Sequence, residues 1–304
     1  MGSALGKSTM GKKVTIGICA RNAEKTIKKT VDSLLQQDYP HGLMELIFVD
    51  DGSEDQTLSI LEGYDFREFG VDARIFRERW KGLGKSRNIV VADARGDYIV
   101  WVDDDIVLER AFVRKQVEFM EKHSRVGLAG GRFGTLSEGN LYATLDNAEV
   151  MAKDHLYGKK ARSKPIFAHA GMAGTILRVK AIREVKGFNP KIRGAGEDAD
   201  IAHKIANAGW LIYPGNDALF YHKGKEKLID VWNQNVWYGF SYYSLEIRTA
   251  TTEALLSAVL YSHVAYKLLH DKRVFLLPLY YYFKKLGWLF GFVKGYLSQA
   301  KKRA

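Results

Sequence analysis

Apolar residues along the chain alternate between short β-rich runs and stretches with helical spacing. The run Val14–Ala20 (VTIGICA) precedes Ala23–Gln37, where aliphatic residues recur three or four positions apart. Three more strand and helix pairs follow: Leu43–Asp50 with Gln56–Tyr64, Asp72–Phe76 with Gly84–Ala94, and Asp97–Val102 with Glu109–Lys122. Because nearly continuous apolar strands alternate with helices, the pattern predicts an α/β fold with a mostly parallel sheet covered on both faces.

Polar and acidic residues stand where three of these predicted strands end. They are Arg21-Asn22, Asp50-Asp51-Gly52-Ser53 and Asp103-Asp104-Asp105. In an open parallel sheet, ligands bind at the carboxyl ends of the strands. Asp-Gly-Ser is also typical of a turn followed by a helix cap, so that loop alone has two interpretations.

The acidic triplet is the stronger signal for chemistry. No Lys or Arg lies within three residues of Asp103, Asp104 and Asp105, although adjacent carboxylates repel one another. Carboxylate oxygens are suited to Mg²⁺ or Mn²⁺. Strand alternation through the triplet would turn Asp103 and Asp105 to one side and Asp104 to the other. The triplet therefore predicts a divalent metal site.

Composition narrows the class of protein. Of 304 residues, 46 are Lys or Arg and 35 are Asp or Glu, which gives a net charge of +11, and 46% are hydrophobic. That balance is typical of a folded chain. With one cysteine, Cys19, the chain has no intramolecular disulfide framework and no cysteine-based zinc cluster. Residues 1–12 lack the apolar segment of a secretory signal, and we expect a disordered leader there.

The positive charge is concentrated at the C-terminal end. From Lys267 to Ala304 there are nine basic residues and one acidic residue, interleaved with the apolar stretches Ala254–Leu269 and Val274–Leu297. Basic residues beside aromatic and aliphatic runs are typical of a membrane surface element rather than a nucleic-acid site. Each lysine near the centre of a spanning helix costs roughly 2.5–3.5 kcal/mol, which argues against simple spanning.

The last stretch has two faces at 100° per residue. The apolar face holds Leu286, Leu289, Phe290, Val293, Tyr296 and Leu297, and the other holds Lys284, Gly287, Gly291, Lys294, Gly295 and Ser298. We expect an amphipathic helix in the membrane interface, with snorkelling lysines. The alternatives are an ordinary core or dimer helix, a shallow hairpin, and close helix packing along the glycine stripe.

Three stretches resemble the inverting nucleotide-sugar glycosyltransferases of family 2, which have the GT-A fold. They are VTIGICARNAEKTIKKTVDSLLQQDYP, ELIFVDDGSEDQT and GLGKSRNIVVADARGDYIVWVDDDIVL, and the likeness covers roughly Lys13 to Gly224. The resemblance implies a GT-A catalytic domain over residues 13–225. Residues 226–304 then form a C-terminal helical, membrane-associated region.

The resemblance also implies which residues bind the donor. Asp51 is expected to contact the nucleobase and Asp104 to lie near the ribose. The full set of implied donor residues is Cys19, Ala20, Arg21, Asp51, Lys85, Arg87 and Asp104. The implied ligands of a Mn²⁺ or Mg²⁺ ion are Asp103, Asp105 and His222. The first strand departs from the family's small-Tyr-Asn ending because Arg21 precedes Asn22, which leaves the donor base and sugar open.

The segment GAGEDAD supplies candidates for acid–base work. An acidic first turn of a helix is one explanation, since carboxylates favour the positive end of the helix dipole. The resemblance instead implies Asp198 as the general base, with Glu197 supporting the acceptor side. It also implies that Gly171, Met172, Ala173 and Gly174 wall the acceptor site, where glycines permit close backbone approach.

The expected function is metal-dependent inverting transfer of a hexose-type sugar from a nucleoside diphosphate, UDP or GDP, to a hydroxyl acceptor. We expect a lipid-linked or surface-glycan acceptor at the cytoplasmic face of the membrane, and no nucleic-acid partner. VWNQNVWYGF lacks the Arg of the Gln-x-x-Arg-Trp box of processive synthases, which favours single transfer. One alternative is a nucleotidyltransferase, although the glycine-rich loop that it needs after Val14–Ala20 is missing. Another is a catalytically silent nucleotide-sugar-binding or membrane scaffold protein.

Overall fold

The computed structural model describes residues 11–136, 139–158, 165, 171–192, 195–244 and 255–303. The chain divides into two compact units. The first comprises Met1–Phe133, Ala161–Arg193 and Glu197–Tyr221, and the second Gly134–Lys160, Gly194–Gly196 and His222–Ala304. Most of the expected leader, residues 1–10, lies outside the described residues.

Ten strands are described. They are β1 (Val14–Ala20), β2 (Met44–Asp51), β3 (Asp72–Glu78), β4 (Tyr98–Trp101), β5 (Ile106–Leu108), β6 (Val126–Gly130), β7 (Arg132–Leu136), β8 (Thr175–Arg178), β9 (Leu211–Tyr213) and β10 (Leu219–Lys223).

The α-helices that the structure describes follow the same chain order. They are α1 (Ile27–Leu35), α2 (Thr57–Glu62), α3 (Leu83–Asp93), α4 (Phe112–Lys122), α5 (Leu141–Lys153), α6 (Val179–Glu184), α7 (Glu197–Asn207), α8 (Leu228–Ser244), α9 (Leu255–Leu269) and α10 (Leu277–Arg303). Short 3₁₀ helices cover His41–Leu43, Phe66–Phe69 and Lys272–Leu276, and a π-helical turn covers Asp154–Gly158.

The central sheet of seven strands has the order β3-β2-β1-β4-β8-β6-β9. Strands β3, β2, β1 and β4 pair in parallel, as do β6 and β9, while β8 runs antiparallel to both β4 and β6. The mostly parallel α/β fold is therefore confirmed. Strands β5, β10 and β7 form a smaller sheet in that order.

Both faces of the central sheet are covered by helices, and strand β2 shows this, since its alternate side chains point to opposite faces. Leu46 and Phe48 join the apolar layer formed with α1 and α4, whereas Ile47 and Val49 join the layer formed with α3, α6 and α7. A strand buried on both faces needs apolar residues at successive positions, which is the pattern seen in the sequence. Because β2, β1 and β4 are neighbouring parallel strands, their polar ends lie side by side at one edge of the sheet.

The second unit is helical and has an apolar core of its own. Its core residues come from α5, α8, α9, α10 and the 3₁₀ helix before α10: Leu145, Ala148, Ala152, Val231, Tyr261, Ala265, Val274, Leu277 and Tyr280. Helices α8 and α10 pack closely, since a Cβ added at Gly291 would lie 1.9 Å from the carbonyl oxygen of Val236. In the described part of the chain, no helix is long and apolar enough to cross a membrane.

Lys284 differs from the expected snorkelling lysine. Its ammonium lies 3.1 Å from a carboxylate oxygen of Asp146 and 3.1 Å from one of Glu149, both on α5. Burial alone would lower the pKa of Lys284, but Glu149 and Asp146 outweigh it and raise that pKa to about 12. Lys284 is thus a partly buried, charged partner of α5 within the helical unit, rather than a lysine that extends toward the lipid headgroups.

Candidate active site

The loops after β1 and β2 are tied together by hydrogen bonds. Asn22 has a left-handed backbone with φ of 54°. Its N–H donates to Ser53 Oγ at 3.0 Å, and its side-chain oxygen accepts from the N–H of Glu54 at 2.9 Å. The N–H of Ala23 donates to Thr57 Oγ1 at 2.7 Å. These bonds hold both strand ends at one edge, as the sheet topology requires.

Asp51 holds a third loop at this edge. Its two carboxylate oxygens accept from the N–H groups of Lys81 at 2.8 Å and Gly82 at 3.1 Å. The carboxylate is buried, and it draws the loop after β3 against the end of β2. Each carboxylate oxygen can accept a further bond. The expected contact of Asp51 with a nucleobase stays a prediction.

An exposed aromatic surface lies beside Asp51 and has no counterpart in the sequence expectations. The Arg21 guanidinium lies 5.3 Å from the centre of the Trp80 ring, and Trp80 is 52% exposed. The N–H of Arg21 donates to an Asp104 carboxylate oxygen at 3.3 Å. An aromatic residue in the loop that follows a predicted strand was the sequence signal for it. A flat ring and a planar cation here can stack on a base.

A buried arginine joins two acidic segments from distant parts of the chain. Arg87 on α3 donates from Nη1 to Glu197 at 2.5 Å, and its Nη2 lies 3.5 Å from an oxygen of Asp103. The guanidinium lies over Trp101 and Phe188, 5.5 and 5.6 Å from the ring centres. Arg87 is 4% exposed. One cation thus serves both the end of β4 and the start of α7.

The structure adds one contact to the acidic triplet and corrects one expectation about it. Although no basic residue is near in sequence, Arg87 on α3 places its Nη2 atom 3.5 Å from an oxygen of Asp103. Strand alternation does not extend through the triplet, since β4 ends at Trp101 while Asp104 and Asp105 lie in a turn. Because Asp104 and Asp105 lie in a turn, the alternation of side chains along a strand does not say which way their carboxylates point.

Glu197 sits in an unusual electrostatic position. It is 4% exposed, and within the described residues its Oε2 atom lacks a hydrogen-bond partner. Burial raises the pKa of Glu197 to about 7 although Arg87 favours the ionised form, and neighbouring Asp198 raises it further. Asp198 is partly exposed, and one of its oxygens accepts from the N–H of Ala199 at 2.7 Å. Asp198, rather than Glu197, is the carboxylate open to a ligand.

The remaining donor residues differ in accessibility. Burial raises the pKa of the Cys19 thiol to about 12, so this cysteine stays a neutral thiol and is no nucleophile. Ala20 is buried in the sheet, and Lys85 is exposed in the first turn of α3. The structure places all three at or near the same sheet edge, and their contacts with a nucleotide stay predictions.

The four residues expected to wall an acceptor lie between β7 and β8. Gly171 has φ of 97°, and among the described residues no atom lies within 4 Å of the place where its Cβ would be, which permits close backbone approach. Met172 is buried and Ala173 partly exposed. At Gly174, a Cβ would lie 2.4 Å from the Phe220 ring, so packing inside the protein requires this glycine.

The carboxylate oxygens at the acidic edge of the sheet suit a hard divalent cation. Carboxylates are the oxygen ligands that Mg²⁺ prefers, and Mg²⁺ is usually held by one or two of them together with substrate phosphates. Among the residues that the structure describes, no group of three His, Cys, Asp or Glu side chains could hold an ion by itself. Asp103 and Asp105 fit the smaller requirement. His222 lies in β10 and is assigned to the second unit, and its ligand role stays a prediction.

Comparison with known proteins gives a consistent family. Residues 15–186 match the family described as Glycosyl transferase family 2. The chain is 30% identical to EpsE of Bacillus subtilis (strain 168) over 212 residues, which cover 69% of this chain and 72% of EpsE. It is 31% identical over 111 residues to the poly(ribitol-phosphate) beta-N-acetylglucosaminyltransferase TarS of Staphylococcus aureus. That match spans 36% of this chain and 19% of TarS.

Solved structures show the same fold at low identity. The mannosyltransferase PcManGT from Pyrobaculum calidifontis, in complex with GDP-Man and Mn²⁺, matches with a TM-score of 0.60 and 17% identity, over 88% of this chain and 73% of that one. Residues 1–349 of S. aureus TarS, in complex with UDP-GlcNAc, match with a TM-score of 0.51 and 16% identity, over 95% and 92% of the two chains. The GT-A fold expected from the sequence is confirmed.

Proposed function

The chain belongs to glycosyl transferase family 2, and we propose that it transfers a hexose-type sugar from a nucleoside diphosphate sugar to an acceptor hydroxyl. The transfer inverts the anomeric carbon and adds a single sugar. One observation carries the proposal: Arg87 joins the acidic end of β4, where a donor diphosphate would bind, to the start of α7, which holds the candidate base.

The donor half of the site follows from the sheet edge. The Trp80 ring and the Arg21 guanidinium would stack on the base, and the remaining acceptor capacity of Asp51 would bind its polar edge. A UDP or GDP sugar is the proposed donor. Solved relatives of this fold bind GDP-Man and UDP-GlcNAc, which supports a nucleotide sugar without choosing between them.

The reaction needs stabilisation of the departing diphosphate and removal of the acceptor proton. A Mn²⁺ or Mg²⁺ ion at Asp103 and Asp105 would supply Lewis acidity toward the diphosphate. Asp198 accepts the proton of the attacking hydroxyl as that oxygen bonds to the anomeric carbon. Arg87 holds Glu197 and Asp103 in place, so Glu197 positions the start of α7 rather than meeting the substrate.

The proposed acceptor is lipid-linked or part of a surface glycan, met at the cytoplasmic face of a membrane. The basic and apolar C-terminal stretch supports that setting. The open backbone at Gly171 supports a sugar-bearing acceptor, because a sugar ring can lie against backbone that carries no side chain.

The test is calorimetric titration of UDP, GDP and dTDP into the purified chain, with Mn²⁺ and again with EDTA. We expect one nucleotide to bind only with metal, and Asp103→Ala to weaken that binding at least about tenfold by removing a charged ligand. Asp97→Ala is the matched control. Asp97 lies just before the start of β4, away from the acidic triplet, so this substitution should leave nucleotide binding unchanged. Metal-independent binding, or equal effects of both variants, would contradict the metal assignment.

A second experiment separates the base from the donor site. Asp198→Asn should keep nucleotide binding and lose about 10²–10⁴-fold in transfer rate, the usual contribution of a general base. Full transfer activity in Asp198→Asn would remove Asp198 from the mechanism. Absence of nucleotide binding in the folded wild-type chain would favour a scaffold role instead.

A further inference from the structure

Exposed apolar side chains are concentrated in the helical unit. Of the 22 large hydrophobic residues exposed in the described part of the chain, 20 belong to the second unit. The two in the first unit are Phe69 and Trp80. Soluble monomers rarely expose contiguous apolar patches beyond a few hundred Å². The helical unit therefore presents a surface that a partner or a lipid phase should cover.

Helix α10 carries part of this apolar surface on one of its faces. Gly287 and Gly291 face α8, where an added Cβ at either would approach Asn235 or Val236. The exposed face carries six large side chains that are 40–57% exposed: Leu286, Leu289, Phe290, Val293, Tyr296 and Leu297. Glycines let one side of the helix dock inside the unit, which leaves the apolar side outward.

An apolar groove adjoins this face within the same unit. Its volume is about 440 Å³, and its lining includes Leu228, Leu276, Leu279, Tyr282 and Leu286, all of them exposed. The lining is almost wholly apolar, and its remaining residues are of the same kinds. A hydrocarbon chain of a lipid fits a groove with that chemistry.

The charge around the surface is strongly positive. Residues 255–303 contain nine Lys or Arg and one acidic residue, Asp271, which pairs with Arg273. Lys294 is exposed on α10 among the apolar residues. Basic residues near an anionic membrane each add attraction, and long basic side chains reach the headgroups from an apolar face. A second copy would instead bring two stretches of net charge +8 together, which is repulsive.

We propose that this apolar and basic surface of the second unit docks in the interface of an anionic lipid bilayer, with α10 lying along the membrane plane. The apolar face and groove meet acyl chains while Lys294 meets headgroups. The inference rests on the proposed function in one respect, since it names the place where the enzyme meets its acceptor. Docking itself needs no nucleotide sugar.

The test is flotation of the full chain with vesicles of phosphatidylcholine alone or mixed with phosphatidylglycerol, without nucleotide sugar. We expect binding to the mixed vesicles and weaker binding as salt rises. The double variant Leu289→Ser with Phe290→Ser should weaken binding at least about tenfold, because two buried apolar side chains are lost. Lys294→Gln should weaken it about fivefold on mixed vesicles only.

Matched controls separate docking from folding and from catalysis. Phe69→Ser removes a comparably exposed aromatic ring from the first unit and should leave flotation unchanged. Asp198→Asn should float like the wild type. Sugar transfer without vesicle binding would overturn docking alone, and vesicle binding without transfer would overturn the proposed function alone. A dimer that Leu289→Ser with Phe290→Ser dissociates, without vesicle binding, would make this face an interface between copies.

Discussion

At the scale of single residues, Arg87 decides how the candidate site is assembled. It is buried, it bonds Glu197, and it lies 3.5 Å from Asp103. Removing one partner of a buried ion pair typically costs about 3–5 kcal/mol, because a charge is left without compensation. The same contact fixes the end of β4 relative to the start of α7. The position of the acidic groups and the stability of the first unit therefore both depend on the Arg87 side chain.

The raised pKa of Glu197 predicts how stability depends on pH. Its pKa of about 7 in the folded chain exceeds the ordinary 4.5, so folding favours the protonated form. The stability of the wild type relative to Glu197→Gln should fall as pH rises from about 4.5 to about 7, by on the order of 2–3 kcal/mol, and then level off. Urea unfolding of both proteins across that range measures it. Parallel stability curves would contradict the raised pKa.

At the scale of elements, the local pattern predicted the strands better than the ends of the helices. Strand β1 was predicted at its observed bounds because apolar runs are local signals. Helix α1 begins at Ile27 rather than Ala23, since the intervening residues form a turn with bonds to the Ala23 carbonyl. The Arg87 pair with Glu197 was not predictable, because periodicity carries no information on which distant residues meet.

Close packing between α8 and α10 gives a prediction opposite to helix propensity. Alanine is favoured over glycine in a helix by about 1 kcal/mol. Gly291→Ala should nevertheless destabilise the second unit by about 1–3 kcal/mol, because its Cβ would meet the backbone of Val236 at 1.9 Å. Gly287→Ala is the graded control, as its Cβ would lie 3.2 Å from Asn235. Thermal unfolding compares the two, and a stabilised Gly291→Ala would rule out the close packing.

The partly buried ion cluster of the second unit gives a further prediction. Lys284→Met leaves Asp146 and Glu149 facing an apolar side chain, and should cost about 1–3 kcal/mol. Lys294→Met, on the exposed face of the same helix, should change stability by less than about 0.5 kcal/mol. Denaturant unfolding distinguishes them. Equal small effects would mean that the cluster contributes no stability.

At the scale of the whole molecule, charge and apolar exposure are unevenly divided. The chain carries +11, of which +8 falls after residue 266, while the acidic edge belongs to the first unit. A basic, apolar unit and an acidic ligand edge are suited to different partners. Sequence composition predicted this division because charge can be counted along the chain. It did not predict the ion pairs of Lys284, because their partners Asp146 and Glu149 lie on a different helix, α5.

The chain should not depend on metal for folding. EDTA should leave the melting temperature of the ligand-free protein unchanged, since the proposed metal is held by two carboxylates only together with the phosphates of the donor. The nucleotide that binds, with Mn²⁺, at 100 times its Kd should stabilise the fold by about 2.7 kcal/mol through mass action. Differential scanning fluorimetry measures both effects. A lower melting temperature in EDTA alone would indicate a structural metal.

The most direct test of the central claim is release of nucleoside diphosphate from a panel of UDP and GDP sugars, with glycolipid extract as acceptor. We predict release from one donor, dependent on Mn²⁺ or Mg²⁺, reduced about 10²–10⁴-fold in Asp198→Asn, and retained in Asp97→Ala. No release from any donor by folded protein that binds the nucleotide, or equal release by Asp198→Asn, would contradict a transferase site at the carboxyl edge of the sheet.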